Sequence, residues 1–475
     1  MSNLEYNIAI NPSSIFHVAS ISKQFTAAAL IKLSLEGKMS LNDDIRKYIP
    51  EVPDFGHIIT FNNLIHHTSG IRDQWNLQAL AGWRKDDLIT EKDILDMLVR
   101  QRSLNFPPGE EYSYCNTGFT IAGIAVKRIT GVSLRDYADS VFFKPLGMTN
   151  THFHSDHSEI TPNRTSAYMM DSKGKWKISI PVFDNYGATS LFTTVADLAK
   201  WDENFYSKQV GGESFINAML LTDKLNDGTP QSYASGIIKS IYKGREIEGH
   251  AGADAGYRSY FVRFPEEHFS VILFANFANA NATALALKVA DLYLKDKTIQ
   301  TPAFKPDGKI TKGWAGEYFD EQTKSILKFD IINERLQSGP TELTPIDNST
   351  FSSSTSIYTF SSDSTKTTLE LSTTGSKKKR FYQVKRIKLS SSELHDYSGS
   401  FYSPELDVTY QVTAKDSSLQ INIPRRNEIN VYPFVKDIFT DGLIIRFHRN
   451  KKNLIDGFFL STDRVRNLQF EKKSK

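Results

Sequence analysis

Two side chains three residues apart have the types needed to build a nucleophile: Ser20 and Lys23, in Phe16-His17-Val18-Ala19-Ser20-Ile21-Ser22-Lys23-Gln24-Phe25. At that spacing on the first turn of a helix they share a face and reach each other. The free N–H groups and dipole of a helix N-terminus favour negative charge developing on a serine oxygen. An ammonium drawn into a partly dry pocket gives up its proton more readily and becomes a base. A serine beside such a base becomes a nucleophile. The four-residue pattern alone is unspecific, because Ser172/Lys175, Ser240/Lys243, Ser325/Lys328 and Ser376/Lys379 repeat it. Until partners are found, Ser20 is better explained as an ordinary helix-start residue.

The elements that would position this pair follow from the pattern of apolar residues. Phe25-Thr26-Ala27-Ala28-Ala29-Leu30-Ile31-Lys32-Leu33 is apolar nearly all round, which predicts a buried helix, and Gly37 supplies its stop. Phe106-Pro107-Pro108-Gly109 predicts a tight turn into Tyr112-Ser113-Tyr114-Cys115-Asn116. Tyr114 and Asn116, two apart on a loop anchored by a helix over Thr120–Ile129, can both face one cleft; Tyr-x-Asn occurs once, and a plain turn with an Asn cap would also explain it. His250-Ala251-Gly252 is the single His-x-Gly, and it enters a predicted hairpin of Tyr257–Phe264 with Ser270–Asn276. Small residues there let a substrate lie against strand backbone. Further helices are expected over Ile94–Val99, from the Thr194 capping box through Trp201, and over Ala282–Leu294. His66 and His67 are expected to pack and hydrogen-bond. The run Thr151-His152-Phe153-His154-Ser155-Asp156-His157 matches no zinc-ligand spacing, so no metal is expected there.

Composition limits the remaining choices. A chain of 475 residues predicts two or three domains, and 40% hydrophobic residues suffice for large cores. A net charge of +3 gives no reason to expect nucleic acid or a membrane surface as partner. No apolar run has transmembrane length. A single cysteine, Cys115, rules out intrachain disulfides and multi-cysteine zinc sites. The sequence predicts a catalytic domain over 1–298, a linker over 299–311 marked by Pro302 and Pro306, and β-modules over 312–390 and 391–475. The Ser/Thr-rich Asn348–Gly375 and basic Lys377–Arg380 read as solvent-facing strands and a charged turn. The modules are expected to be repeats: Trp314–Phe319 matches Tyr397–Tyr402, with Gly316 and Gly399 83 positions apart, Leu336-Gln337 matches Leu419-Gln420, and Pro345 and Phe351 match Pro433 and Phe439 at an offset of 88.

Ser20/Lys23, Tyr114/Asn116 and His250/Gly252, in that order, resemble the serine β-lactamase and penicillin-binding-protein superfamily. The likeness is to its class C β-lactamase-like branch of D-aminopeptidases, D-Ala-D-Ala carboxypeptidases and β-lactamase-fold esterases. It covers roughly residues 1–295 and includes His67-Thr68-Ser69-Gly70, Pro108-Gly109 and Pro145-Leu146-Gly147-Met148. The resemblance implies an α+β fold, with an antiparallel sheet flanked by helices, ahead of two small all-β, barrel-like modules similar to the C-terminal barrels of D-aminopeptidases. It implies that Ser20 forms an acyl-enzyme while Lys23 and Tyr114 shuttle its proton, and that Asn116 orients Lys23 and the substrate. It further implies that His250 and Gly252 line the substrate strand and that the N–H groups of Ser20 and Ala253 hold the oxyanion. No metal or organic cofactor is implied.

The implied activity is a serine hydrolase acting on peptide, amide or ester bonds, with D-amino-acid peptides or small esters as substrates, some cell-wall derived. A β-lactamase or D-Ala-D-Ala carboxypeptidase is the alternative, and a non-catalytic penicillin-binding module a second. Histidine where β-lactamases carry lysine offers positive charge only in part near its ordinary pKa, which favours the aminopeptidase or esterase reading. No G-x-S-x-G elbow points to another hydrolase class. The chain as given shows no signal sequence. Only nineteen residues precede Ser20, whereas relatives place sheet strands before it, so a longer, exported precursor is expected.

Overall fold

The period-two alternation of Tyr257–Phe264 explains how the first part of the chain is layered. In the computed structural model, which describes residues 1–295, 304–353, 356–373 and 375–473, this strand is central in a four-stranded antiparallel sheet. It pairs with Phe269–Ala275 on one side and Arg245–Asp254 on the other, and Ile238–Tyr242 follows beyond. Tyr260, Val262 and Phe264 face Ala282, Ala286 and Ala290 of helix Ala282–Tyr293. Tyr257 and Phe261 face the other way, into the main core with Val18, Ile21 and Phe25. Small alanines let that helix lie close to one sheet face, while the serine helix packs toward the other. This is the expected α+β arrangement.

The serine helix spans Ser22–Leu35, with Gly37 in a left-handed conformation just past its end. Its residues from Ser22 through Ile31 are all buried, and each large apolar side chain so removed from water contributes roughly 1.5–3 kcal/mol. Phe25 packs on Trp201 at 4.5 Å between ring centroids, and Trp201 Nε1 donates to Gln24 Oε1 at 2.9 Å. Helix Val195–Ser207, which carries Trp201, opens with Thr194 accepting from Asp197 N. Arg263 clips that helix to the sheet through Asp202 (2.6 Å) and Glu248 (2.7 Å). The expected helices over Ile94–Val99 and Thr120–Ile129 are present as Glu91–Val99 and Asn116–Thr130. Among the described residues no helix is long and apolar enough to cross a membrane.

The chain divides into two compact units, Met1–Trp75 with Trp83–Thr298, and Asn76–Gly82 with Ile299–Lys475. The short segment joins the second unit because Tyr410 O–H donates to Leu80 O at 2.5 Å and Asn76 Nδ2 donates to Asp463 Oδ1 at 2.7 Å. Of the linker expected over 299–311, residues 299–303 lie outside the described residues, and Gly308–Gly313 is helical, capped by Asp307.

In the second unit, a sheet of nine strands begins at Gly316–Phe319 and curls nearly closed. Its two edge strands, Thr341–Glu342 and Thr344–Pro345, adjoin in sequence through buried Leu343. The final eight strands, from Gly399–Ser403 to Leu468–Lys472, form a closed barrel. The repeat inferred from sequence reappears as matching registers: Pro345 pairs with Phe351, and Pro433 with Phe439. Of the Ser/Thr-rich run, positions 354, 355 and 374 lie outside the described residues, and the rest falls on and between strands.

Phe319, Phe434 and Ile438 form one cluster joining the two modules. Phe434→Ala is expected to cost about 3–5 kcal/mol, the usual range for emptying a core phenylalanine site. A urea titration of the full chain checks this. An unchanged midpoint would show that the modules are independent.

Candidate active site

Ser20 lies in a 3₁₀ turn, Ala19–Ile21, that runs directly into the serine helix. It therefore stands just before the helix rather than in its first turn. Ala19 adopts φ +49°, a left-handed conformation that costs a non-glycine residue of order 1–3 kcal/mol. The surroundings hold it there. Ser259 Oγ donates to Val18 O at 2.8 Å, and Ser22 Oγ donates to Ala19 O at 2.5 Å. Gly252 is pressed so close that a Cβ would fall 2.3 Å from Val18 O. The glycine of His-x-Gly is thus required by the approach of its strand to the serine turn.

Lys23 is fully buried, and its Nζ donates to Asn116 Oδ1 at 2.8 Å, Ala188 O at 2.7 Å and Ser20 Oγ at 3.1 Å. The orientation of Asn116 is itself fixed. Its backbone N and its Nδ2 both donate, at 2.7 Å each, to Oδ2 of Asp73, which is completely buried. An ionised carboxylate only accepts, so Nδ2 must face Asp73 and Oδ1 must face Lys23. Asn116 and Ala188 O then take two Nζ hydrogens, and the third Nζ position points at Ser20 Oγ. That position is an N–H when lysine is charged and a lone pair when it is not. The chemistry available is proton exchange between Lys23 and Ser20.

Tyr114 lies alongside, with Lys23 Nζ 4.9 Å from its ring centroid. His67 packs on the Tyr114 ring at 4.2 Å, and its Nδ1 accepts from Cys115 N at 3.0 Å. His67 thus packs and hydrogen-bonds as expected, and in doing so shapes the loop that presents Tyr114. His66 does pack as expected, against Asn62 O and Leu221 O. The cap of helix Asn116–Thr130 is Cys115, with Asn116 its first residue; the Asp73 carboxylate occupies the helix entrance. Burial pushes the Cys115 thiol up to about 12, so it is no competing nucleophile.

The segment expected to be a glycine-rich entry is strand from Arg245 through Asp254, turning at Ala255-Gly256. His250 Nδ1 donates to Ala251 O at 2.6 Å, so Nε2 is the acceptor for Tyr233 O–H at 3.0 Å. Burial, reinforced by the Lys23 charge, pushes His250 down to about 3. Its expected partial charge is corrected: it is neutral here. Ala253 is exposed on the strand just beyond Gly252.

The Thr151–His157 run brings ligand atoms of His152 and His154 within 4.8 Å of a carboxylate oxygen of Glu159. Arg135 already binds both Glu159 oxygens, at 2.5 and 2.7 Å, and so supplies the positive charge that a metal would bring. Asp73, Ala188 and Tyr233 were not singled out by sequence reasoning. Asp73 follows the quoted His67–Gly70 stretch by three positions, but nothing local distinguishes a buried carboxylate from a surface one.

The beta-lactamase family model matches residues 1–294. A D-aminopeptidase of Cereibacter sphaeroides (strain ATCC 17023) is 27% identical over 332 residues, 69% of this chain and 62% of that protein. A D-aminopeptidase of Brucella melitensis biotype 2 is 26% identical, over 70% of this chain and 64% of that protein. The chain therefore spans less than two thirds of these relatives' length. The octameric penicillin-binding protein homologue from Pyrococcus abyssi shares the fold, with TM-score 0.57 and 21% identity over 80% of this chain and 91% of that one. The penicillin binding protein from Bacillus halodurans also shares it, with TM-score 0.54 and 22% identity over 61% and 89%.

Two outcomes follow from this geometry. Asp73→Ala should strand two buried donors, at about 1–3 kcal/mol each, and free the Asn116 amide to flip. Circular dichroism should remain native while fluorophosphonate labelling of Ser20 slows by about 10² or more; labelling at the wild-type rate would contradict the orienting role. The second outcome concerns pH. Burial pushes both His17 and His250 from 6.5 to about 3. The unfolded chain takes up their protons below about pH 6.5 and the folded chain only near 3, so stability falls as pH drops through that window. Asp254, pushed by burial from 3.8 to about 6, opposes this between those values, its stabilisation being lost as pH rises. Burial also lowers His152, to about 4, and His154, so the histidines outweigh Asp254 and Tm should fall from about pH 7 to 4, and His250→Gln should flatten the slope. A Tm that rises on acidification would overturn the sign.

Proposed function

The chain belongs to the beta-lactamase family, and we propose that within it the protein is a serine hydrolase cleaving peptide, amide or ester bonds next to D-amino acids, on cell-wall-derived peptides met outside the cytoplasm. The observation that carries this reading is the fixed pointing of Lys23 Nζ at Ser20 Oγ. Two acceptor-only partners satisfy the buried amine and at the same time aim a remaining position at a hydroxyl.

The steps follow from the geometry. Ser20 Oγ bonds to the substrate carbonyl carbon as its proton passes to Lys23 in its neutral form, or to Tyr114 as the phenolate that the adjacent lysine charge favours. The N–H groups of Ser20 and Ala253 take the oxyanion. The carbon–nitrogen or carbon–oxygen bond to the leaving group breaks as the proton returns to that group, leaving an ester on Ser20. Water then adds by the same proton route and frees the acid. Neutral His250 presents no charge to a substrate carboxylate, which weighs against a β-lactamase or a strict carboxypeptidase. The relatives named D-aminopeptidase support the D-amino-acid part.

Hydrolysis of D-alaninamide, L-alaninamide, p-nitrophenyl acetate and nitrocefin by the full chain tests the reading. The D-amide and the ester should turn over, with the D-amide above the L-amide by at least about tenfold. Tyr114→Phe should lower turnover by about 10² to 10⁴. Efficient nitrocefin hydrolysis with no D-amide cleavage would replace this reading with a β-lactamase.

A further inference from the structure

His250, Gly252 and Asp254 alternate along one strand, so their side-chain positions share the face that meets the serine turn. Gly252 touches Val18 O, and His250 occupies the Tyr114 side. Asp254 is the third position, about 7 Å along the strand from Gly252 and one residue past Ala253. Its setting is unusual for a carboxylate. His17 Nε2 meets Oδ2 at 3.0 Å, and Thr189 Oγ1 donates to the same oxygen. Thr189 adjoins Ala188, whose carbonyl holds Lys23. Oδ1 takes no hydrogen bond among the described residues, although the side chain keeps 17% of its exposure.

Among the described residues no lysine or arginine pairs with this group. Lys23 acts on it only from a distance, and Arg258, which also does, donates its NH1 to Ala255 O and Tyr257 O. His17 is buried and neutral, so it contributes a hydrogen bond and no charge. Burial raises the Asp254 carboxyl to about 6, which leaves an anion at neutral pH that is poorly solvated. Neutral donors orient Oδ2, while Oδ1 is left open beside the serine turn. A mobile cation would satisfy that oxygen.

We infer that Asp254, held by His17 and Thr189, is the subsite for the free ammonium of a substrate whose scissile carbonyl sits on Ser20. This rests on the reading of Ser20 as the acylated nucleophile and assigns the residue that determines specificity for an acyl group carrying an unblocked α-amine. The acyl carbon would lie against Ala253, and its α-substituents would extend along the strand toward Asp254. A primary ammonium there gains one charge-assisted hydrogen bond, which an N-acylated analogue lacks.

The test uses full-length protein and a matched pair, glycine ethyl ester and N-acetylglycine ethyl ester, which reports ammonium recognition independently of stereochemistry and of amide cleavage. The wild type should favour the free amine in kcat/KM, and Asp254→Asn should reduce that ratio by about 10- to 100-fold, mainly through KM. Fluorophosphonate labelling of Ser20 counts intact sites in each sample. Should the variant not fold, protection of wild-type Ser20 from labelling by glycinamide against N-acetylglycinamide gives the same reading, with glycinamide expected to protect at about tenfold lower concentration or less. Equal reactivity of the two esters, a ratio that survives Asp254→Asn, or a parallel fall of both esters overturns the subsite. If D-alaninamide resists cleavage while the ester ratio responds as expected, the D-peptide reading falls and the subsite stands.

Discussion

A buried carboxylate can accept hydrogen bonds but not donate them, and the arrangement around Ser20 depends on that asymmetry. Asp73 takes both the backbone N and the Nδ2 of Asn116, which turns Oδ1 toward Lys23. The Ala188 carbonyl takes a second lysine hydrogen, and Ser20 Oγ lies 3.1 Å from the same Nζ. The links to Asp73, Asn116 Oδ1 and Ala188 O have one permissible orientation because those acceptors lack a proton to offer, while the last link, to the Ser20 hydroxyl, can run either way. The serine is therefore paired with its proposed base, Lys23, by a chain of hydrogen bonds that starts at Asp73. The same carboxylate sits at the entrance of helix Asn116–Thr130, so one group both stabilises the helix start and aims the amide.

The backbone supplies the other half of the placement. Ala19 is held at a positive φ by contacts from a strand that only glycine at position 252 allows to approach. Strain at the residue before Ser20 is thus balanced by close strand packing, and the serine turn and the His-x-Gly strand form one structural unit. That coupling explains why His-x-Gly and Ser-x-x-Lys, 230 residues apart between Ser20 and His250, belong to one site.

Residues whose signal is local were legible in the sequence. The apolar run Phe25–Leu33, the Thr194 cap, the alternating Tyr257–Phe264 and the repeated Pro/Phe pairs each carry their own periodicity, and each appears where that periodicity puts it. Asp73 was not legible, because its burial is decided by long-range packing and an Asp after a Ser-Gly turn looks like surface. The charge state of His250 was misjudged for the same reason: a histidine letter carries no information on desolvation or on the Tyr233 hydroxyl beside it. Nor could the sequence show that Asn76–Gly82 would leave its neighbours for the second unit, since its partners Tyr410 and Asp463 lie more than 300 positions on.

The proposed acylation of Ser20 is the event on which all of this converges, and intact-protein and peptide mass spectrometry after incubation with a slow β-lactam or a fluorophosphonate reads it directly. One adduct per chain on the peptide containing Ser20, absent from Ser20→Ala and formed more slowly in Asp73→Ala, is the expected result. An adduct on another serine, such as Ser172 in its own Ser-x-x-Lys, or labelling undiminished in Ser20→Ala, would contradict it.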